Sequence, residues 1–192
     1  MQSAEKIKGD GGEFRFVFVG RIVRDKGICE LVEVFMRLNA ECDDVRLMLV
    51  GRLEDELDPL PSHTRKAIDI CHNIEFVGYQ SDVRPYLVAS DVLVLPPYRE
   101  GFPNVVLQAG AMGLPVIVTD VNGSDEVIEQ GVNGIILPKY DVEALYSAMI
   151  AMVNDSARTK QTAEVARKMI ADRFDQRDVW EAILDMYRQL SD

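Results

Sequence analysis

Short runs of almost unbroken apolar residues recur along the chain, and each is followed by a longer segment with helical spacing of its apolar residues. The runs are FRFVFV (Phe14 to Val19), VRLMLV (Val45 to Val50), Ile74 to Val77, Val92 to Leu95, Pro115 to Thr119 and Gly134 to Leu137. A strand that does not alternate apolar with polar residues is buried on both faces, and a sheet covered on both faces is normally parallel. Between the runs, Ile28, Leu31, Val32, Phe35 and Leu38 mark one face of a helix over Gly27 to Ala40. Further helices are expected over Pro61 to His72, Ser81 or Asp82 to Ala89, Pro103 to Met112 and Asp125 to Gln130. Two or three more close the chain, with apolar stripes at Val142, Leu145, Met149 and Met152, and at Trp180, Ile183, Leu184, Tyr187 and Leu190. The pattern predicts an α/β fold: a Rossmann-like open, mostly parallel sheet with helices on both faces. In 192 residues there is room for one substantial domain. We place it over residues 14–192, with the polar, glycine-containing residues 1–13 as a flexible leader or linker remnant.

Open sheets of this kind bind ligands beyond the carboxyl ends of their strands, so the loops after the strands carry the functional signal. After the first strand the chain reads Gly20-Arg21-Ile22-Val23-Arg24-Asp25-Lys26-Gly27. Glycine at the strand end permits the turn and leaves room for a ligand. Arg21 offers a planar fork of donors, and Lys26 a mobile point charge at a helix start. A turn with solvated basic residues is the plain alternative. Three cations in six residues, in a chain of net charge −11, favour anion binding.

The second loop runs through EGFPNVVLQAGAMG, Glu100 to Gly113, and opens a helix with Pro103 near its first position. The N–H groups of Gly101, Phe102 and Asn104 are expected past the helix end, where with the helix dipole they favour an anion. Glu100 beside such a loop is costly unless ligand hydroxyls or a nearby cation satisfy it. As a surface or capping residue it would need neither. Ala109, Gly110, Ala111 and Gly113 read as small residues for close helix–sheet packing. A third loop, Val121 to Glu126, carries a Gly-Ser-Asp helix start that explains itself as a cap and also approaches the same cleft.

Charge and cysteine usage narrow the classes. A net charge of −11 opposes binding to nucleic acid, although a small nucleotide remains compatible with local geometry. Cys29, Cys42 and Cys71 are odd in number and form no CxxC pair, which fits thiols in a reducing cytoplasm better than disulfides or a zinc site. His63 and His72 lie away from the loops described. No apolar stretch approaches the ~18 residues needed to cross a bilayer. No G-x-G-x-x-G follows the first strand, against a nicotinamide dehydrogenase.

In their order, VGRIVRDKG, LMLVGR, IEFVGYQSDV, ASDVLVLPPYREGFPNVVLQAGAMGLPVIVTD and GSDEVIEQGVNG resemble glycosyltransferase family 4, the retaining enzymes of GT-B fold. The resemblance runs from Phe14 to Leu190 and matches only the C-terminal, donor-binding domain of that family. It implies that Arg21 and Lys26 hold the donor's diphosphate and stabilise charge as the sugar–phosphate bond breaks. Glu100 falls on the first carboxylate of the family's E-x7-E motif, near the donor sugar. Gly20, Gly101, Phe102, Pro103 and Asn104 fall on the loops around sugar and phosphate. Val77, Gly78 and Tyr79, with Arg52 nearby, fall where the nucleobase is met. The second motif carboxylate is Gln108 here, a weaker acceptor for the ribose hydroxyls than a charged group.

The resemblance also implies a donor such as a UDP-sugar, with GDP- or ADP-sugar as the alternatives, and no required cofactor or metal. The chain contains no DxD. The acceptor-binding N-terminal domain would be a missing partner, carrying any membrane contact, and the enzyme would be cytoplasmic or peripheral at the inner membrane. Bacterial surface-polysaccharide synthesis is the expected setting. A non-catalytic nucleotide-binding module and a sugar-nucleotide epimerase of related fold are the competing readings. The segment Phe174 to Tyr187 resembles a helix that crosses to the partner domain, while packing on its own domain is the simpler expectation.

Overall fold

The computed structural model describes residues 12–56, 58–174 and 176–190. The expected leader therefore lies outside them apart from Gly12 and Glu13, and Glu13 pairs with Arg15 at 3.2 Å and Arg46 at 2.9 Å. Among the described residues six strands form: β1 Phe14–Val19, β2 Val45–Val50, β3 Ile74–Gly78, β4 Val92–Leu95, β5 Val116–Thr119 and β6 Gly134–Leu137. The helices are α1 Ile28–Glu41, α2 Ser62–Ile70, α3 Arg84–Val88, α4 Asn104–Ala111, α5 Ser124–Val127, α6 Val142–Asn154, α7 Ser156–Arg173 and α8 Gln176–Leu190. A 3-10 turn over Arg24–Lys26 precedes α1.

The sheet order is β3-β2-β1-β4-β5-β6, and every pairing is parallel. All four residues of β4 and all four of β5 are buried. Successive strand side chains point to opposite faces, so the sheet is covered on both faces at these strands, whereas Glu75 and Phe76 of the edge strand β3 are exposed. This is the α/β arrangement that the unbroken apolar runs demand. The expected face of α1 is buried in full, with Val34 joining it.

Some boundaries differ for local reasons. Helix α3 starts at Arg84 because Asp82 turns back on the chain: its Oδ1 accepts from the Arg84 amide at 3.1 Å, and its carboxylate also holds the Arg84 guanidinium. Helix α5 stops at Val127, shorter than expected, because the Asn133 side chain takes over the backbone groups at its end. The Asn133 Oδ1 accepts from the Glu129 amide at 2.7 Å, and its Nδ2 donates to the Val127 carbonyl at 3.0 Å. Gly110 is small for a neighbour other than the sheet: a Cβ there would lie 2.5 Å from Ile170 Cγ1 on α7.

The last helix does not bury its stripe. Trp180 is 56% exposed, Ile183 42%, Leu184 53% and Tyr187 63%. The simpler expectation, packing of this stripe on its own domain, is therefore wrong for these residues. The side chain of Leu190, the last member of the stripe, lies outside the described residues. Among the described residues no helix is long and apolar enough to cross a membrane.

Candidate functional site

In the order β3-β2-β1-β4-β5-β6 the chain reverses direction across the sheet between β1 and β4, which opens a crevice beyond their carboxyl ends. The loops that leave these two strands are GRIVRDKG and PPYREGFP, the two singled out from sequence. They are pressed together by backbone. Gly27 has φ +70, and a Cβ there would sit 2.0 Å from the Pro96 carbonyl oxygen, so no side chain fits. The Tyr98 amide donates to the Asp25 carbonyl at 2.9 Å. Lys26 Nζ then meets Glu100 Oε2 at 2.6 Å, with the two side chains only 12% and 25% exposed. The cation that the Glu100 carboxylate requires is thus Lys26, 74 residues earlier in the chain.

The loop after β2 joins the same cluster. A Cβ on Gly51 would lie 1.7 Å from the Gly20 carbonyl oxygen, so these two loops also touch without intervening side chains. The Ile22 amide donates to the Arg52 carbonyl at 2.8 Å, and Ile22 and Leu53 form a parallel bridge. Arg21 Nη1 bonds Glu54 Oε2 at 3.1 Å, and Asp58 Oδ2 accepts from the Asp25 amide at 2.7 Å. The acidic segment after β2 therefore braces the basic loop at two points.

The EGFP loop places Pro103 at the N-cap position of α4, beside the first helical position near which it is expected, with φ −80 and ψ 81. These angles are near those of an inverse γ-turn, and the Asn104 amide accordingly donates to the Phe102 carbonyl at 3.0 Å. The Gly101 amide donates to Glu100 Oε1 at 3.3 Å. Two of the three amides expected to face an anion are thus engaged within the loop itself, that of Asn104 by the turn at Pro103 and that of Gly101 by the neighbouring Glu100 carboxylate. The third loop does reach this place: a Cβ on Gly123 would lie 3.0 Å from the Gly101 carbonyl oxygen.

Two clefts of about 400 Å³ and 390 Å³ flank Val83. The first is lined by Gly20, Arg21, Arg52, Glu54, Tyr79 and Gln80, with the Arg52 guanidinium 5.4 Å from the centre of the exposed Tyr79 ring. The second is lined by Ser81, Asp82, Arg84, Gln108, Ala111 and Met112. Arg21, Arg52 and Tyr79 thus share one cleft, and Gln108 faces its neighbour. Val77 and Gly78 end β3 beside them, where the Gly78 carbonyl accepts from the Gly51 amide at 2.9 Å. A further cleft of about 410 Å³ lies at the amino end of β6, lined by Gln130, Gly134, Arg158 and Thr159 among others, and holds none of the predicted residues. Among the described residues no group of three or more His, Cys, Asp or Glu is placed to hold a metal ion.

Residues 13–155 match the family model described as glycosyl transferases group 1. The chain belongs to that family. It is 31% identical over 170 residues to a capsular polysaccharide biosynthesis glycosyltransferase of Staphylococcus aureus, covering 88% of this chain and 44% of that protein. It is 32% identical over 174 residues to a lipopolysaccharide core biosynthesis glycosyltransferase of Rhizobium meliloti (strain 1021), covering 90% and 48%. The crystal structure of Anabaena Alr3699/HepE in complex with UDP-glucose superposes with a TM-score of 0.82 at 23% identity, over 93% of this chain and 49% of that one. The chain spans about half the length of the proteins it matches.

Within this group 1 domain, three residues that organise the crevice carry no motif signal. Glu54 and Asp58 belong to the acidic segment after β2, and each holds the basic loop. Tyr98 donates its hydroxyl to Glu30 Oε1 on α1, which ties the loop bearing Glu100 to the first helix. Burial, and after it the Glu30 carboxylate, push the Tyr98 phenol well above its ordinary range. A hint of Glu54 and Asp58 existed in their place just beyond a strand's carboxyl end. Nothing in the sequence pairs Tyr98 with Glu30.

Proposed function

We propose that this chain is the donor-binding half of a retaining, family 4 glycosyltransferase, which moves a sugar from a nucleotide diphosphate sugar to a glycan or lipid-linked acceptor in surface-polysaccharide synthesis. The observation that carries the reading is the meeting of the basic loop after β1 with the EGFP loop after β4, at the crevice where the strand order reverses. The capsular and lipopolysaccharide activities named for the relatives support the class of product. The UDP-glucose bound by the structurally similar Anabaena protein supports UDP as the first donor to test, before GDP and ADP.

In this reading Arg21 and Lys26 meet the charge that develops on the departing diphosphate, an electrostatic stabilisation by preorganised donors. Loss of either in the whole enzyme is expected to cost about 2–4 kcal/mol of transition-state stabilisation. Glu100, held by Lys26, faces the donor sugar together with Gly101, Phe102, Pro103 and Asn104. Tyr79 and Arg52 flank the base with Val77 and Gly78, Gly20 leaves room for the phosphates, and Gln108 takes the ribose hydroxyls. The acceptor site belongs to a partner domain outside this chain, so the domain binds donor without transferring sugar. No cofactor or metal enters this scheme.

Calorimetric titration with UDP, GDP, ADP and NAD tests the proposal. We expect selective binding of one nucleoside diphosphate, weakened by both Arg21→Ala and Lys26→Ala. Binding that neither substitution weakens would remove the basic loop from the site.

A further inference from the structure

The Arg21–Glu54 pair is set by backbone register. Arg21 precedes Ile22 and Glu54 follows Leu53, and Ile22 and Leu53 are the two members of the bridge that continues β1 and β2 beyond their ends. The bridge is held by the Ile22 amide on the Arg52 carbonyl, and the Gly20 amide on the Val50 carbonyl secures the turn just before it at 3.0 Å. Gly51 seated on Gly20 prevents the two loops from separating without loss of packing. Arg21 and Glu54 are therefore neighbours by backbone position.

An exposed ion pair of this kind contributes little to stability. Its place matters more. Glu54 is the less exposed partner, at 22% against 48% for Arg21, and both line the 400 Å³ cleft with Arg52 and Tyr79. A carboxylate fixed on a guanidinium in a ligand cleft competes with any anionic group that the guanidinium is to bind, and repels it as a like charge.

We propose that Glu54 is a charge filter on this cleft. It competes for Arg21 and repels anions, so it lowers the affinity of the cleft for a diphosphate and leaves that for a neutral ligand unaffected. The inference rests on the donor-site reading above and adds to it a residue that sets ligand selectivity. A diphosphate brings more negative charge than one carboxylate and offers several acceptor oxygens, so it competes successfully. A neutral nucleoside makes no use of Arg21 and is indifferent to Glu54.

The test is calorimetry of the 192-residue chain with UDP and with uridine, on the parent, Glu54→Gln, Arg21→Ala and the double variant, with thermal melts to confirm that each is folded. Glu54→Gln is expected to tighten UDP roughly fivefold, the upper end of what an exposed pair contributes. Uridine affinity is expected to stay unchanged, and the UDP gain to vanish in the Arg21→Ala background. An unchanged or weaker UDP affinity in Glu54→Gln, with Arg21→Ala still weakening UDP, overturns the filter and leaves the donor site standing. A weaker affinity would assign the carboxylate to the ligand's hydroxyls. An equal gain for uridine also overturns it, because the effect would then be one of cleft shape. A folded parent chain that binds none of UDP, GDP and ADP takes down the donor-site reading and the filter together.

Discussion

At the scale of single residues, the crevice depends on side chains that reach across long stretches of chain. Tyr98 is the clearest structural case. Its hydroxyl bonds a partly buried carboxylate, Glu30, whose other oxygen Oε2 is buried and meets no hydrogen-bond partner among the described residues. Removing the hydroxyl leaves that carboxylate short of a donor, a change that costs about 1–3 kcal/mol. Tyr98→Phe is therefore expected to lower stability by that amount at neutral pH, as read by chemical denaturation, and a variant as stable as the parent would dismiss the anchor. The same group predicts a pH dependence. The folded chain keeps a phenolic proton that the unfolded chain releases above about pH 10. Its contribution is complete below that pH and is lost as pH rises toward the higher folded value. Stability should decline above pH 10, and less steeply in Tyr98→Phe. Lys26 and Glu100 illustrate the legible side of this scale. Both are recognisable from their loops, while the 2.6 Å bond between them joins loops that sequence places far apart.

At the scale of elements, α4 is packed on α7 through a missing side chain. Gly110 lies inside a helix, where alanine would gain about 1 kcal/mol from helix propensity alone. The Cβ that gives this gain would enter Ile170 Cγ1, and overpacking of that kind costs about 1–3 kcal/mol. Gly110→Ala is thus expected to destabilise the parent and to stabilise an Ile170→Ala variant. Denaturation of the four proteins of this cycle reads the change of sign. A stabilising effect in the parent would mean that α4 and α7 have room to move apart. Strands and the larger helices are legible at this scale, the strands as unbroken apolar runs and the helices because their burial repeats with a fixed period. The short helices α3 and α5 are less so, since each is trimmed by one side chain, Asp82 or Asn133, acting on local amides.

At the scale of the whole molecule, the apolar stripe of α8 is the feature that the domain leaves uncovered. Trp180, Ile183 and Leu184 are each more than 40% exposed on one helix face. Contiguous exposed apolar surface favours association. Sedimentation velocity of the chain is expected to show concentration-dependent self-association, which Leu184→Glu reduces without lowering the melting temperature. A chain that stays monomeric at high concentration would contradict this. The stripe itself is plain from its spacing, Trp180, Ile183, Leu184 and Tyr187. Whether the domain buries it is not, because spacing identifies an apolar face but not the surface that receives it.

The sequence by itself determined the α/β architecture and its parallel sheet, because runs without alternation, each followed by an amphipathic helix, are satisfied by burial between two helical layers. It also determined which loops lie at the carboxyl ends and that two of them carry cations and a carboxylate. Only the tertiary structure decided that these loops meet between β1 and β4, that Glu100 is neutralised by Lys26, and that Glu54 stands on Arg21. It also engaged two amides of the EGFP loop within the loop itself. The physical reason is range. Periodicity and turn chemistry act within a few residues and are written in order along the chain, whereas these ion pairs connect residues 33 and 74 positions apart. They exist because strand order and glycine contacts bring the loops to one place.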